Sequence, residues 1–274
     1  MRQGVVVAAR LPHHDTVNWS AAKPIALVVP GDCQVDDEFW RMLAPHAIPF
    51  VSRTTGADQR MSGNDSAVPH LIHLARSSDL EVAADRLRDV NAIAAAYVDT
   101  SISFVRGPGG DTEIAGRIER FLGVPTVVTS TAVVRACRAL GVSRLAVLSV
   151  YTESVNARIP TFFEPQGIRI VRIGSLGGRY ETGLTSLDLA RMPPDDLVRA
   201  GREIDGPDVD AIFIPCTAVR TLEAIEPLET VTGKPVITAI QATIWAVARL
   251  AGVTTDTPLG GRLWEVATSP TPVG

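Results

Sequence analysis

Three short stretches bring together side chains able to move protons or hold an anion. The first is Phe213-Ile214-Pro215-Cys216-Thr217-Ala218-Val219-Arg220, where Cys216 closes an apolar run and precedes a stretch of helical period at Leu222–Val231. A thiol ahead of a helix N-terminus gains thiolate character, because unpaired N–H groups and the macrodipole stabilise negative charge. A buried structural cysteine is the competing interpretation, but a turn after a strand suits that less well than a helix face. The second stretch, Val98-Asp99-Thr100-Ser101-Ile102-Ser103-Phe104, also ends a strand-like run. Two adjacent hydroxyls and their backbone N–H groups suit a carboxylate oxygen, since several donors can converge on one anion. The same residues would equally serve as an Asx or Ser/Thr turn capping a following helix. The third is Tyr151, which follows Leu145–Val150 and is expected to present its phenol at a cleft mouth as an oxyanion donor. Of the other cysteines, Cys137 lies in an amphipathic helix and reads as core, while Cys33 sits in the loop after the first strand, where nothing else supports a role in lining a cleft.

Eight short β-rich runs must position these groups: Ile25–Val29, Ile48–Val51, Ala94–Val98, Thr126–Val128, Leu145–Val150, Arg169–Ile173, Ala211–Ile214 and Pro235–Thr238. Segments of helical period lie among them at Asp79–Val90, Asp111–Phe121, Thr131–Leu140, Pro194–Ile204, Leu222–Val231 and Gln241–Leu250. This alternation predicts βαβ units and parallel strands. Residues 123–142 (GVPTVVTSTAVVRACRALGV) and 233–253 (GKPVITAIQATIWAVARLAGV) repeat one plan: Gly-x-Pro, strand, polar turn, amphipathic helix. Upstream of each is a strand ending in a small polar cluster, Asp99-Thr100-Ser101 in one and Cys216-Thr217 in the other. The clusters fall 69 residues past Pro30 and 65 past Tyr151, where the first strand of each half is expected to end. The chain therefore reads as two copies of a four-strand unit, with a ligand cleft beyond the carboxyl ends of the strands.

Composition narrows the class. A chain of 274 residues with 46% hydrophobic content can bury a substantial core. Its 26 basic and 30 acidic residues, a net charge of −4 with no long run of one sign, argue against nucleic acid as a partner. Three cysteines, an odd number, point to reduced thiols and a cytoplasmic setting. Val5–Ala9 is too short an apolar stretch for a signal-peptide core or a membrane span, so no membrane partner is expected. Residues 1–23 show no clear period and read as a surface extension. His13-His14 has no third ligand nearby, and His70-x-x-His73 has no partner at a zinc-like spacing, so no metal site is expected. Gly107-Pro108-Gly109-Gly110-Asp111 lacks the Lys-Ser/Thr of a phosphate loop, and no Gly-x-Gly-x-x-Gly occurs. No cofactor is expected; the chemistry falls to side chains.

Taken in order, VDTSISFVRG, GVPTVVTSTA, the strand before Tyr151, PCTAVRTLEAI and GKPVITAIQATIWAVARLAG resemble the aspartate/glutamate racemase superfamily. More closely, they resemble the branch containing arylmalonate decarboxylase and maleate cis-trans isomerase. The likeness covers roughly residues 24 to 265. It implies an α/β fold of two Rossmann-like (flavodoxin-like) parallel-sheet lobes related by a pseudo-twofold axis, with the active site in the cleft between them. It also implies cofactor-independent chemistry at the carbon alpha to a carboxylate. The division expected is an N-terminal extension (1–23), a first lobe (24–128 plus 240–265) and a second lobe (129–239).

Many members of the superfamily carry a cysteine at each half-site. Cys216 matches the second, whereas the first is occupied by Asp99. Maleate isomerases use a cysteine there as nucleophile. Arylmalonate decarboxylases have glycine there and protonate with the second cysteine alone. Their Thr-Ser-x-Ser-Phe-x-Arg-Gly stretch is matched by Thr100 to Gly107, and their oxyanion-binding tyrosine by Tyr151.

The resemblance thus implies a decarboxylase-like reaction. Thr100, Ser101, Tyr151, Thr217 and backbone N–H groups hold one carboxylate of a malonate-like acid, the other leaves as CO2, and Cys216 protonates the enediolate. An alternative is a racemase or cis-trans isomerase with Asp99 and Cys216 as opposed acid/base or nucleophilic groups. That requires burial to lift Asp99 well above the usual value of about 3.9. A third is a non-catalytic protein that binds small dicarboxylates. The partner in each case is a small carboxylic or dicarboxylic acid, and a homo-oligomer is compatible with the sequence. Regions 52–69 and 174–193 are expected to be loops that shape the pocket.

Overall fold

Residues 19–55, 64–176, 185–254 and 258–266 are described by a computed structural model; His13, His14 and most of the N-terminal segment lie outside them. The first half begins β1 (Lys23–Pro30), α1 (Asp36–Leu43), β2 (Ala47–Thr54), α2 (Asn64–Arg76) and α3 (Asp79–Asp85). It continues with β3 (Ala94–Tyr97), α4 (Ser101–Phe104), α5 (Gly110–Leu122), β4 (Thr126–Val128) and α6 (Thr129–Leu140). The second half begins β5 (Arg144–Ser149), α7 (Glu153–Asn156), α8 (Arg158–Phe163), β6 (Arg169–Ser175) and α9 (Ser186–Ala190). Then come α10 (Pro194–Glu203), β7 (Ala211–Ile214), α11 (Leu222–Thr232), β8 (Val236–Thr238), α12 (Ala239–Leu250) and α13 (Gly261–Glu265).

The strands form two parallel sheets of four, in the orders β2-β1-β3-β4 and β6-β5-β7-β8. The two orders are the same once four is added to each strand of the first, as the internal repeat predicts. Central strands are apolar and buried on both faces: Ile25 to Pro30 of β1, all of β3 (AAAY) and all of β7 (AIFI). Helices cover both faces of such sheets, so these strands read as continuous apolar runs rather than alternating ones. Of the edge strands, β2 and β6 retain partly exposed residues, whereas β4 and β8 are buried.

All eight expected strands are present; β4 and β7 have the expected ends, and the other ends shift by at most three residues. Gly123 and Gly141 close α5 and α6 at φ +67°, the left-handed cap that favours glycine. Region 52–69 is not wholly loop: β2 runs to Thr54 and α2 includes Pro69. Region 174–193 likewise contains α9, started by a reciprocal capping box between Thr185 and Asp188. Within these regions, residues 56–63 and 177–184 lie outside the described residues.

The halves interlock through their repeated helices. α12, from the end of the chain, packs on α6, β3, β4 and α1, while α6 touches β8. At their N-terminal ends, the Thr243 hydroxyl donates to Thr129 Oγ1 at 2.9 Å. No helix among the described residues is long and apolar enough to cross a membrane.

Candidate active site

The strand orders place a crossover point between β1 and β3 and another between β5 and β7. Loops leaving such neighbours diverge and open a crevice beyond the strand ends. Asp32 and Cys33 follow β1, Asp99 to Ser101 follow β3, Tyr151 follows β5, and Cys216 and Thr217 follow β7. β5 ends at Ser149, so Tyr151 lies two residues beyond its strand and is not the strict equivalent of Pro30, the last residue of β1.

The two crevices meet. The Cys216 N–H donates to Thr100 Oγ1 at 3.3 Å, joining positions 116 residues apart. The Tyr151 phenol lies close enough to Thr100 and Cys216 for both to act on its titration. Its ring meets Phe104 edge-on, with centroids 6.0 Å apart. The Ser101 hydroxyl donates to Asp99 Oδ1 at 3.4 Å. Cys216, Asp99, Thr100, Ser101 and Tyr151 therefore converge, as the sequence predicts. Thr217 arrives at the same place, but its hydroxyl donates to the Val98 carbonyl at 3.2 Å. That group fastens the two halves rather than facing a ligand.

Two local expectations change. The helix after Cys216 starts only at Leu222, so the thiol does not sit on its N-terminus. Burial pushes the Cys216 thiol up to about 12; the Ala218 N–H pulls the other way, while Asp32, Asp99 and Cys33 push it further up. The thiolate expected from helix proximity is replaced by a neutral thiol, because desolvation penalises charge more than one backbone donor favours it. The backbone of Cys216 is itself held at φ +79°, a left-handed conformation that costs a residue with a Cβ roughly 1–2 kcal/mol.

Asp99 behaves partly as the capping alternative foresaw: its Oδ1 accepts the Ile102 N–H of α4 at 2.6 Å. Burial nevertheless raises its carboxyl to about 7, with Asp32 adding to the rise and Ile102 and Ser101 opposing it. Tyr151 is held well above 10, first by burial and then by the negative charge that Cys216 and Asp99 carry when ionised, so it stays a phenol donor.

Asp32 and Cys33, in the loop after β1, also come near Cys216. Asp32 accepts from the Ser186 hydroxyl of α9 at 3.3 Å, a contact between the halves. The Cys33 thiol donates to the Thr217 carbonyl at 3.2 Å. Arg53 holds this loop by donating to the carbonyls of Pro30 (3.0 Å) and Cys33 (2.7 Å) and pairing with Asp36. Asp32 is the group that residue types alone did not select; its signal was position, two residues past a strand end. Cys137 is buried core in α6, as expected. His70 and His73 share α2, which packs on α4 and α7. No group of three or more His, Cys, Asp or Glu able to hold a metal occurs among the described residues.

Comparison with known proteins agrees with this architecture. Residues 76–264 match the arylmalonate decarboxylase family. Arylmalonate decarboxylase of Bordetella bronchiseptica is 30% identical over 75% of this chain and 81% of its own. A maleate isomerase of Alcaligenes faecalis is 22% identical over 67% of this chain and 75% of its own. A crystal structure of arylmalonate decarboxylase superposes with a TM-score of 0.70 at 29% identity, covering 89% of this chain and all of that one. A two-lobed α/β fold with paired half-sites thus defines the class, an enzyme of the decarboxylase and isomerase branch of the aspartate/glutamate racemase superfamily. Within that branch, the chain belongs to the arylmalonate decarboxylase family. The non-catalytic binding alternative is set aside by that membership.

Proposed function

We propose that this enzyme decarboxylates a malonate-type diacid, with Cys216 as the proton donor. The observation that carries this assignment is a buried thiol whose neighbours, Thr100 and Tyr151, are hydrogen-bonding groups able to hold a carboxylate. One carboxylate of the substrate is held by Thr100, Ser101, Tyr151 and nearby backbone N–H groups. The bond from the α-carbon to the second carboxylate breaks, CO2 leaves, and the electron pair stays as an enediolate. The thiol proton passes to that carbon, and solvent later returns a proton to the thiolate. A thiol near 12 suits donation to so basic a carbon and makes a resting nucleophile unfavourable. The relatives' names refer to arylmalonate and maleate, both dicarboxylates, which supports a small diacid here. Action in the cytoplasm accords with three free, buried thiols. A first lobe of 24–128 with 240–265 and a second of 129–239 is supported by the packing of α12 on β3 and β4.

One observation favours a second assignment, that of racemase or isomerase. Asp99 near 7 is a competent base at neutral pH, and its charge is felt at Cys216. Incubating substituted malonates, single-carboxylate acids and maleate in deuterated water separates the two. CO2 release with one deuterium gained at the α-carbon supports decarboxylation. Exchange or isomerisation with no CO2 from any malonate overturns it.

A further inference from the structure

We propose that Glu38 is a positioning residue for Cys216: its carboxylate, on α1 of the first half, caps α11 and so fixes the far end of the loop 217–221 next to the thiol. The proposal rests on Cys216 being the reacting group. Glu38 is fully buried, and its Oε1 accepts the N–H groups of Thr221 (2.8 Å) and Leu222 (3.1 Å). Its Oε2 lies 3.5 Å from the Thr221 hydroxyl, which also donates to Thr238 Oγ1 at 3.1 Å. A helix leaves its first N–H groups unpaired and is ordinarily capped by the residue that precedes it. Thr221 stands at that position in α11 and makes no side-chain cap, so a carboxylate 183 residues away in sequence takes its place.

The neighbours of Glu38 on α1 hold the same segment. Arg220 forms a two-pronged pair with Asp37 at 2.7 and 2.8 Å, and Arg41 pairs with Glu223. At the near end, the Cys216 N–H binds Thr100 and the Thr217 hydroxyl binds the Val98 carbonyl. The loop is thus clamped at both ends by the first half, with the left-handed Cys216 backbone inside the clamp. A strained backbone persists only while its surroundings fix it. Burial lifts Glu38 to about 7, Arg220 favours its ionised form and Glu223 disfavours it. Either form keeps Oε1 as an acceptor, so the role is one of reach rather than charge.

Two conservative variants separate those properties. Glu38→Gln keeps both length and acceptor oxygen. Glu38→Asp keeps the charge but withdraws it by about 1.5 Å, one carbon–carbon bond. Amide hydrogen exchange of segment 217–224 and N-ethylmaleimide labelling of Cys216 are measured on the free protein, and kcat and KM on phenylmalonate. In Glu38→Gln, all four are expected within about threefold of the unmodified enzyme. In Glu38→Asp, exchange of this segment should rise about tenfold with the rest of the chain unchanged, and Cys216 should label faster. Displacing the thiol should lower kcat about 10- to 100-fold and leave KM within about threefold. Unchanged exchange in Glu38→Asp, equal damage in Glu38→Gln, or an increase spread evenly over the chain overturns the proposal. If the unmodified enzyme does not turn over phenylmalonate, the decarboxylase assignment fails, and the exchange and labelling results decide the clamp independently.

Discussion

Cys216 and Asp99 carry opposite lessons about burial. Enclosure keeps the thiol protonated, which suits a donor, and brings the carboxyl near neutrality, which suits a base. Cys216→Ala should leave the fold intact and reduce turnover by more than about tenfold, over 1.4 kcal/mol in the barrier. A variant retaining more than that, measured as CO2 release, would remove Cys216 from its role. Asp99 separates the two reactions. As a general base it accounts for about 10²–10⁴-fold, so Asp99→Asn should abolish α-deuterium exchange on single-carboxylate acids if racemisation is native. If decarboxylation is native, charge repulsion dominates instead. Asp99 ionises as pH rises through about 7, placing a negative charge beside a dianionic substrate. Turnover of malonates should therefore fall across that range, and Asp99→Gly should flatten the profile and raise the alkaline rate. A profile unchanged by Asp99→Gly would contradict the repulsion.

Elements built from local signals were legible, and those resting on buried charge or irregular turns were not. The repeated Gly-x-Pro units located β4, β8, α6 and α12, because strand period, helix period and cap glycine all agree there. α1 was not among the expected helices: it is only eight residues long and opens with three acids, Asp36, Asp37 and Glu38, although Glu38 is fully buried. α2 escaped because Pro69 removes a helical hydrogen bond and ordinarily signals a break. The match of α10 to α11 provides a test of packing. A Cβ at Gly201 would lie 2.6 and 2.8 Å from the methyl groups of Leu228, a fully buried side chain. Gly201→Ala is therefore expected to cost about 1–3 kcal/mol through overpacking. Calorimetry should show a Tm lower by roughly 2–10 °C. An equal or higher Tm would mean that α10 and α11 separate freely.

Over the whole molecule, buried acids raised by desolvation, Glu38 and Asp99 foremost and Glu229 in the same direction, shape the pH dependence of stability. Glu38 and Asp99 both titrate near 7 in the native state and near 4 when unfolded. Between those values the native state binds more protons than the unfolded one, so stability is greatest below about 4 on their account and declines as pH rises to about 7. Asp210 acts oppositely: Arg144 and Ser143 hold it down to about 2, and what it contributes is lost as pH falls from 4 towards 2. Thermal melts should accordingly show Tm rising as pH is lowered from 8 to 5. Asp99→Asn, which cannot ionise, should be more stable than the unmodified protein at pH 8, with the difference shrinking at pH 5. A constant difference across the range would show that Asp99 titrates normally.

The sequence by itself determined the eight strands, the duplication and the strand ends at which chemistry gathers. Those features follow from local spacing: apolar runs, helical period and glycine or proline at turns, each legible within a dozen residues. Only the tertiary structure decided the protonation of Cys216, the use of the Thr217 hydroxyl as a fastener, the approach of Asp32 and the burial of Glu38. Each depends on residues between 116 and 183 positions apart meeting where the two halves join. Desolvation at that junction is set by what covers a group in space, which its neighbours in sequence do not specify.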